Sequence, residues 1–373
     1  MKNAKLIVSL IVLALLAGFG IWAYYHVAFN FSNFRSQLEL ADWRKIGIAL
    51  GCIYLAYVFR SARWGLLLRH TKKIGLFSLL GTQVIGFTAV ALIGRVADLV
   101  RPYLVAKKTE LPLGSQVAVY IVERLFDMGS MALIFSVAML WVPQAEILKA
   151  TGHSKMMSAL AAHSPFLTAF LARFGGLVLT LLGALFLVAV RVSGEVVASV
   201  FQSAFGLVSK KLGAAVGDKI RTFRSGLDTM RSFADFAVTA SLSLAMWLLI
   251  AFAYLEGCRA FTASPQLATI SLPKCILLMI ASGGASIIQL PVLGWFTQIG
   301  IVAAALSAIL GSSAEASTAC AATLLLVTFL GIVPVGLVWA QFTHVSLRKV
   351  SEESGHAAEA AADKAAVEEP SGA

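Results

Sequence analysis

The chain has 373 residues, of which 59% are hydrophobic and only 13% are charged. A soluble domain carries about 25% charged residues, and the strands of membrane barrels are short and alternate in polarity. The long continuous apolar runs of this chain therefore predict an all-α, polytopic helical membrane protein. The net charge of +11 does not indicate nucleic-acid binding, because the Lys and Arg residues lie in loops between the apolar runs.

Apolar runs follow one another along most of the chain. The first extends from Leu6 to Tyr25 behind Lys2 and Lys5. Its length and its terminal aromatic residues favour an uncleaved signal-anchor over a cleaved signal peptide. With this run included, we predict six spans, near 6–25, 46–66, 116–142, 166–190, 236–256 and 318–342. Two further apolar regions raise the predicted number to as many as eight.

Loop charge decides the orientation and the interpretation of the first ambiguous region, 74–94. Cytoplasmic loops collect Lys and Arg. Basic residues cluster near the N-terminus, in 60–73, in 191–235 and after the last span. All of these segments lie on the same side if both termini are cytoplasmic and 74–94 enters the membrane and returns. We therefore predict a re-entrant hairpin at 74–94, with its turn at one of its glycines; the alternative is a membrane span, which would place Arg95, Arg101, Lys107 and Lys108 outside and invert the later orientation.

The second ambiguous region, 268–311, begins and ends outside under the same topology. Pro273, Gly283, Gly284 and Pro291 interrupt it, which predicts either two spans or one hairpin that enters from outside. A broken segment in each half of the chain, entering from opposite sides, is typical of inverted-repeat transporters. We therefore predict two re-entrant hairpins in an inverted-repeat arrangement.

Two segments lie outside the predicted spans. Residues 191–235 are predicted to form amphipathic helices on the cytoplasmic surface, although a plain connector is an equal alternative. The cations that would face an anionic lipid surface are Lys210, Lys211, Lys219, Arg221 and Arg224. The end of the chain is rich in Ala and Glu, so we predict a membrane domain over 1–345 and a disordered cytoplasmic tail over 346–373.

Six ionisable residues, inside or beside apolar runs, form the candidate site. They lie in GRVADLVRP (Gly94–Pro102) and in ERLFD (Glu123–Asp127), and their formal charges sum to zero. The six are Arg95, Asp98, Arg101, Glu123, Arg124 and Asp127. An ionisable group at membrane depth costs about 2.5–3.5 kcal/mol unless it is paired or faces water. Two clusters balanced in sign therefore predict a polar site inside the protein.

Helical spacing predicts how these residues are arranged. The three residues of the first motif share a broad face, Glu123 and Asp127 stack one turn apart, and Arg124 points about 100° away. Because the planar fork of arginine suits phosphate, we predict a phosphate-headgroup site with Arg95, Arg101 and Arg124 as anion ligands. The carboxylates would be counter-charges or proton acceptors. A structural salt-bridge network that pins the hairpin to the next helix is the alternative, and the two are compatible.

Two more arginines are secondary candidates. Arg60 and Arg63 end the second predicted span, and we expect them to snorkel to the interface and to help recruit phosphate. No catalytic residue, metal site or cofactor is predicted, because the four cysteines form no CxxC, the six histidines form no HxxxH and no nucleotide-binding motif occurs.

The charged motifs resemble those of a known family. GRVADLVRPYL followed by ERLFD resembles the G-R-x-G-[DE]-x-x-R-P and E-R-x-x-D signatures of the lysylphosphatidylglycerol synthase transmembrane-region family of flippase-like integral membrane proteins. FRSARWGLLL (Phe59–Leu68) resembles the arginine–tryptophan element of that family, and the resemblance covers roughly 1–345. Ala97 stands where the family usually has Gly, and Thr297 or Gln298 stands in place of a later acid. The soluble aminoacyl-transferase domain of bifunctional members is absent, so the resemblance implies lipid handling without lysine transfer.

These observations predict flippase-like translocation of an anionic, polyprenyl or other specialised lipid across the cytoplasmic (inner) membrane. Movement would be downhill or ion-coupled, since no ATPase motif occurs. One alternative is an integral membrane transferase acting on a lipid phosphate, and another is a scaffold in an envelope-lipid pathway. The predicted partners are a membrane lipid and an anionic lipid surface, with no nucleic acid, and the sequence permits a homo-oligomer.

Overall fold

The computed structural model describes residues 29–142, 164–207, 209–227, 232–285, 293–347, 349–350 and 352–354. Across these residues the regular structure is entirely helical, which confirms the prediction of an all-α fold. The predicted first span at 6–25 lies outside the described residues and stays a prediction.

The described α-helices are numbered in chain order. The first six are α1 (Phe31–Glu39), α2 (Trp43–Leu68), α3 (Leu76–Ile93), α4 (Val100–Thr109), α5 (Leu113–Met139) and α6 (Pro165–Gly206). The others are α7 (Lys210–Leu227), α8 (Phe233–Arg259), α9 (Pro265–Ala268), α10 (Leu272–Ala285), α11 (Leu293–Leu310), α12 (Ala314–Leu325) and α13 (Ile332–Phe342). A 3-10 helix at Arg95–Leu99 precedes α4, and a π-helix at Leu326–Leu330 joins α12 to α13.

An antiparallel pair, α2 and α8, lies at the centre of the bundle. At one end the Asp42 amide, which precedes α2, donates a hydrogen bond to the Ala260 carbonyl just beyond α8, at 2.8 Å. At the other end Arg69 and His70, which follow α2, contact the Asp235 carboxylate in the first turn of α8. We call the Arg69 end, where Lys72 and Lys73 also lie, the basic end, and the Asp42 end the opposite end.

Five segments of the described chain are long and apolar enough to cross a membrane. They are Trp43–Leu68, Leu76–Ile93, Val188–Gly206, Phe233–Arg259 and Ala314–Phe342. Helix α5 occupies the position of the predicted span 116–142, and it carries three charged residues near its middle, Glu123, Arg124 and Asp127. The chain is therefore a polytopic helical membrane protein in which long helices carry buried charge.

The first hairpin is longer than predicted. Residues of α3 form one uninterrupted helix, so the prediction that 74–94 alone enters the membrane and returns is wrong. The turn lies at Gly94, whose φ of 92° is unfavourable for other residues, and the 3-10 helix with α4 forms the returning arm. The Lys72 ammonium donates to the Thr109 carbonyl at 2.6 Å, which places the start of α3 beside the end of α4. The hairpin therefore begins and ends at the basic end. Its returning arm carries the first charged motif, Gly94–Pro102, and this arm faces the second charged motif, Glu123–Asp127, on α5.

The second hairpin consists of α10 and α11 and enters from the opposite end. Just before α10 begins, the Ile270 carbonyl accepts a hydrogen bond from Arg259, at 3.2 Å. Helix α11 ends next to the start of α12, where Glu315 accepts a hydrogen bond from the Asn30 amide at 3.0 Å. The turn, 286–292, lies outside the described residues. Near it the Trp295 indole donates to the Ala91 carbonyl at 3.2 Å, so the inner ends of the two hairpins meet.

Helices α6 and α7 extend the bundle at the basic end. Helix α6 packs antiparallel to α5 and bends at Ser193, and its second half then pairs with α7. Arg221 of α7 donates to Glu195 of α6 at 2.9 Å. The described part of 191–235 is therefore helical, but the second half of α6 lies within Val188–Gly206, which is apolar enough to cross a membrane, so a position of these helices on the cytoplasmic surface stays a prediction.

The last helix returns the chain to the basic end. On α13, Gly336 lies against Thr88 of α3, and Trp339 lies 4.8 Å from Phe77 between ring centroids. Within the predicted tail, Val350 is buried and Glu353 accepts a hydrogen bond from the Tyr103 hydroxyl at 2.8 Å. Residues 355–373 lie outside the described residues, so disorder there stays a prediction.

Candidate functional site

One face of α5 carries two buried carboxylates at mid-helix. Glu123 is 1% exposed and Asp127 is 4% exposed, and their i and i+4 spacing stacks them as predicted. Glu123 lies ten residues after Leu113, the first residue of α5 at the basic end. Ten helical residues span about 15 Å, which is half the ~30 Å thickness of a bilayer core.

Arg101 reaches Glu123 from the returning arm of the first hairpin. Its Nη2 donates to both carboxylate oxygens of Glu123, at 3.0 and 2.7 Å, and its Nε donates to Gln83 Oε1 at 2.8 Å. The guanidinium lies 4.4 Å from the Phe87 ring centroid. A Cβ atom on Gly86 would overlap the Arg101 side chain, so this glycine of α3 is needed for the close approach of α4.

Arg63 of α2 holds the other side of the two carboxylates. Its Nη2 donates to Glu123 at 2.6 Å, and its Nη1 donates to Asp127 at 2.7 Å and to the Ser243 hydroxyl of α8 at 2.6 Å. Trp247, one turn further along α8, donates to Asp127 at 3.3 Å. The expectation that Arg63 snorkels to the interface is wrong, because α5 presents two carboxylates beside it and its side chain is 1% exposed.

These four residues, Arg63, Arg101, Glu123 and Asp127, form what we call the charged cluster. It contains two cations and two anions and joins α2, α4, α5 and α8. Removing one partner from a buried ion pair costs about 3–5 kcal/mol, because the remaining charge stays buried without compensation. The geometry of the cluster is therefore that of the predicted structural network, and Arg101 is engaged by protein groups.

A cavity of about 230 Å³ lies next to the charged cluster. Both hairpins, α2, α5, α8 and the π-helix contribute to its walls, and most of the lining is apolar. Three of the sequence-predicted residues border it, namely Arg60, Asp98 and Arg124. Of the candidate residues, Arg63, Arg101, Glu123 and Asp127 thus belong to the charged cluster, and Arg60, Asp98 and Arg124 border the cavity.

Arg60 is a buried cation on the cavity wall. It is 8% exposed, so the expectation that it snorkels to the interface is also wrong. Its guanidinium lies 4.7 Å from the Phe87 ring centroid, and it makes no hydrogen bond or ion pair with the residues that the structure describes. The ring stabilises the cation only partly, since a cation–π contact contributes about 0.5–2 kcal/mol.

Arg124 is the second cation of the cavity wall. Its side chain is 37% exposed, and its Nη1 lies 3.8 Å from Asp127 Oδ2. The guanidinium lies 4.9 Å from the Tyr120 ring centroid, on a face of α5 turned away from Glu123, as the helical spacing predicted.

The remaining two candidates lie in the 3-10 helix at the turn of the first hairpin. Asp98 borders the cavity between the two arms. Arg95 begins that helix, and its side chain lies outside what the structure describes, so its role as an anion ligand stays a prediction.

Several polar residues of the site were not predicted as site residues by the sequence analysis. Gln83 and Ser243 bind the arginines of the charged cluster, and Tyr254, Ser282 and Gln298 border the cavity. Gln298 was noted only at the position of an acid in the family motif, and the other four are isolated polar side chains within apolar runs. Among the described residues, no group of three or more His, Cys, Asp or Glu side chains is arranged to hold a metal ion.

The comparison with protein families agrees with the motifs. Residues 6–352 match the family described as "Lysylphosphatidylglycerol synthase TM region". Neither the comparison with curated proteins nor that with solved structures gives a match. The family match covers nearly the whole chain and includes both hairpins, the charged cluster and the cavity. The chain therefore belongs to the lysylphosphatidylglycerol synthase transmembrane-region family.

Proposed function

We propose that this protein moves a lipid with a phosphate headgroup between the two leaflets of the cytoplasmic membrane. The headgroup enters the cavity between the two hairpins, where Arg60 and Arg124 bind the phosphate, while the apolar tails stay in the bilayer. The observation that carries this proposal is Arg60, a cation buried beside a cavity without an anionic partner among the described residues.

The electrostatics of the cavity support an anionic occupant. A guanidinium at membrane depth costs several kcal/mol unless an anion or water compensates it. The buried carboxylates of α5, Glu123 and Asp127, already compensate Arg63 and Arg101, and Asp98 is the one carboxylate among the described residues of the cavity lining, against two arginines. A phosphate oxygen that accepts from Arg60 would therefore gain a charge-assisted hydrogen bond without breaking an existing one.

The arrangement of the two hairpins supports movement across the membrane. They enter from opposite ends and meet at the contact between Trp295 and Ala91, beside the cavity. Binding near the midplane between two such elements is the arrangement from which secondary transporters alternate access. Small displacements of either hairpin would open the cavity to one end or the other.

We assign the basic end to the cytoplasm. The described residues there include Arg69, Lys72, Lys73, Lys107 and Lys108, and short cytoplasmic loops are enriched in such residues. The C-terminal residues 349–354 lie at the same end, and the predicted first span would bring the N-terminus there too. This assignment agrees with the predicted multi-pass topology with both termini in the cytoplasm.

The alternative of a membrane transferase gains no support from the site geometry. Two of the three carboxylates predicted for that chemistry, Glu123 and Asp127, are bonded to arginines inside the bundle.

The proposed translocation is tested by reconstitution of the full chain in liposomes with an acyl-labelled phospholipid. Movement of the label between leaflets without a new lipid species supports translocation, and a new lipid species would contradict it.

A further inference from the structure

The wall of the cavity on α8, α10 and α11 carries three hydrogen-bonded polar side chains and no charge. The Tyr254 hydroxyl donates to Ser282 Oγ at 2.8 Å, and the Gln298 amide nitrogen donates to the same oxygen at 3.1 Å. All three residues border the cavity, and they are 5%, 4% and 6% exposed, in that order. This uncharged wall is distinct from the part of the lining that Arg60 and Arg124 supply.

The hydrogen bonding of this wall is incomplete. Gln298 Oε1 is buried and accepts no hydrogen bond from the described residues. Ser282 Oγ accepts two hydrogen bonds, so its own hydroxyl proton is available to a further acceptor. Buried polar atoms without a partner are rare and destabilising, and an occupant of the cavity can supply the missing partners.

The chemistry of the missing partner points to hydroxyl groups. The wall presents both an acceptor on Gln298 and a donor on Ser282, and rotation of the terminal amide exchanges the two amide atoms. A hydroxyl donates and accepts, so it satisfies the wall in either orientation. An ammonium group only donates, and a second phosphate group only accepts.

We propose that the cavity selects phosphate lipids whose headgroup also carries neutral hydroxyls, as in a polyol or glycosyl phosphate. The phosphate lies at Arg60 and Arg124, and the hydroxyls bind Ser282 and Gln298. This inference rests on the proposed function, because it takes the phosphate position from it. Two neutral hydrogen bonds correspond to roughly tenfold discrimination against a headgroup that lacks the hydroxyls.

The test compares three acyl-labelled lipids with the full chain in liposomes. Phosphatidylglycerol carries the phosphate and hydroxyls, phosphatidic acid carries the phosphate alone, and phosphatidylethanolamine adds an ammonium group. We expect the wild type to move phosphatidylglycerol roughly tenfold faster than phosphatidic acid, and Gln298→Leu to bring the two rates together. Gln341→Leu, the same change on the exposed end of α13, is the matched control and should keep the discrimination.

The outcomes separate this inference from the proposed function. Equal wild-type rates for phosphatidylglycerol and phosphatidic acid would overturn the inference and leave the proposed function standing. Discrimination that survives Gln298→Leu would also overturn the inference. If the wild type moves none of the three lipids, the proposed function fails and the inference fails with it.

A second variant keeps the test informative if Gln298→Leu does not fold. Gln298→Glu keeps the size of the side chain and adds a carboxylate, which attracts ammonium groups. We expect this variant to move phosphatidylethanolamine faster relative to phosphatidylglycerol than the wild type does. An unchanged ratio would show that residue 298 does not contact the headgroup.

Discussion

Arg101 donates from a single nitrogen to both carboxylate oxygens of Glu123, at 3.0 and 2.7 Å, about 15 Å along α5 from its first residue. This pair connects the returning arm of the first hairpin to a helix that follows it in sequence. Both side chains are 1% exposed, so the pair is direct and shielded from bulk solvent. The first hairpin is therefore fixed in depth by an ion pair, and the residues bordering the cavity are positioned by it.

Glu123→Ala should lower the folded yield and the thermal stability in detergent. The substitution leaves Arg63 and Arg101 without their shared carboxylate, and breaking a buried pair costs about 3–5 kcal/mol. The measurement is the yield of monodisperse protein and its melting temperature. Glu110→Ala is the control, because the Glu110 side chain is 86% exposed at the basic end and its loss should change neither value. A melting temperature equal to that of the wild type would contradict the structural role of the cluster.

Arg101→Lys should be intermediate between the wild type and Arg101→Ala in thermal stability. Lysine keeps the charge but cannot contact Glu123 and Gln83 together with the same geometry, since it lacks the planar fork. Loss of a hydrogen bond to a charged group costs about 1.5–3 kcal/mol. Melting of the three proteins under identical detergent conditions checks the order, and a lysine variant as stable as the wild type would argue against a stabilising role for the joint contact with Glu123 and Gln83.

Gly86→Ala should destabilise the protein although alanine is a better helix former. The added Cβ would overlap the Arg101 side chain and push α4 away from α3. Gly51→Ala in α2 is the matched control, because no atom lies within 4 Å of its added Cβ, and it should gain up to about 1 kcal/mol from helix propensity. Opposite shifts in melting temperature are expected, and a stabilising effect at both positions would mean that α3 and α4 are not closely packed.

The charged motifs were sufficient to predict that Glu123 and Asp127 share a face, because helical spacing is a local property. The partner on α2 was not predictable in the same way. Arg63 lies sixty residues before Glu123, and only the packing of α2 against α5 brings them together. The same limit applies to Gln83 and Ser243, which are polar residues in apolar runs until the fold supplies their partner.

The first hairpin shows how the return of the chain to one end of the bundle can be predicted with wrong boundaries. Basic flanks predicted that the chain returns to the side from which it entered, and the contact between Lys72 and Thr109 agrees with this. The whole hairpin was placed within 74–94, where Gly75, Gly81, Gly86 and Gly94 were each expected to allow the turn. Gly81 and Gly86 instead give room to Trp339 and Arg101, and the turn needs only Gly94.

Cysteine labelling should place both ends of the first hairpin on the same face of the membrane. Lys73→Cys and Lys108→Cys, each in a chain whose four cysteines are replaced by alanine, introduce exposed thiols before α3 and near the end of α4. An impermeant maleimide should label both from the cytoplasmic side. Arg44→Cys at the opposite end is the control and should react only from outside. Labelling of positions 73 and 108 from different sides would contradict the hairpin.

We propose that Arg63 and Arg101 hold the charged cluster together, whereas Arg60 binds phosphate in the cavity. The most direct test is to measure lipid translocation and folded yield together for Arg60→Gln. Arg60 has no ion-pair partner among the described residues, so the neutral variant should fold with normal yield. It should move an acyl-labelled phosphate lipid in liposomes roughly ten- to a hundred-fold more slowly, because it loses a charge-assisted hydrogen bond. Arg35→Gln, whose side chain is 81% exposed on α1, should transport at the wild-type rate. A folded Arg60→Gln protein that transports as fast as the wild type would show that the cavity does not bind phosphate through this arginine.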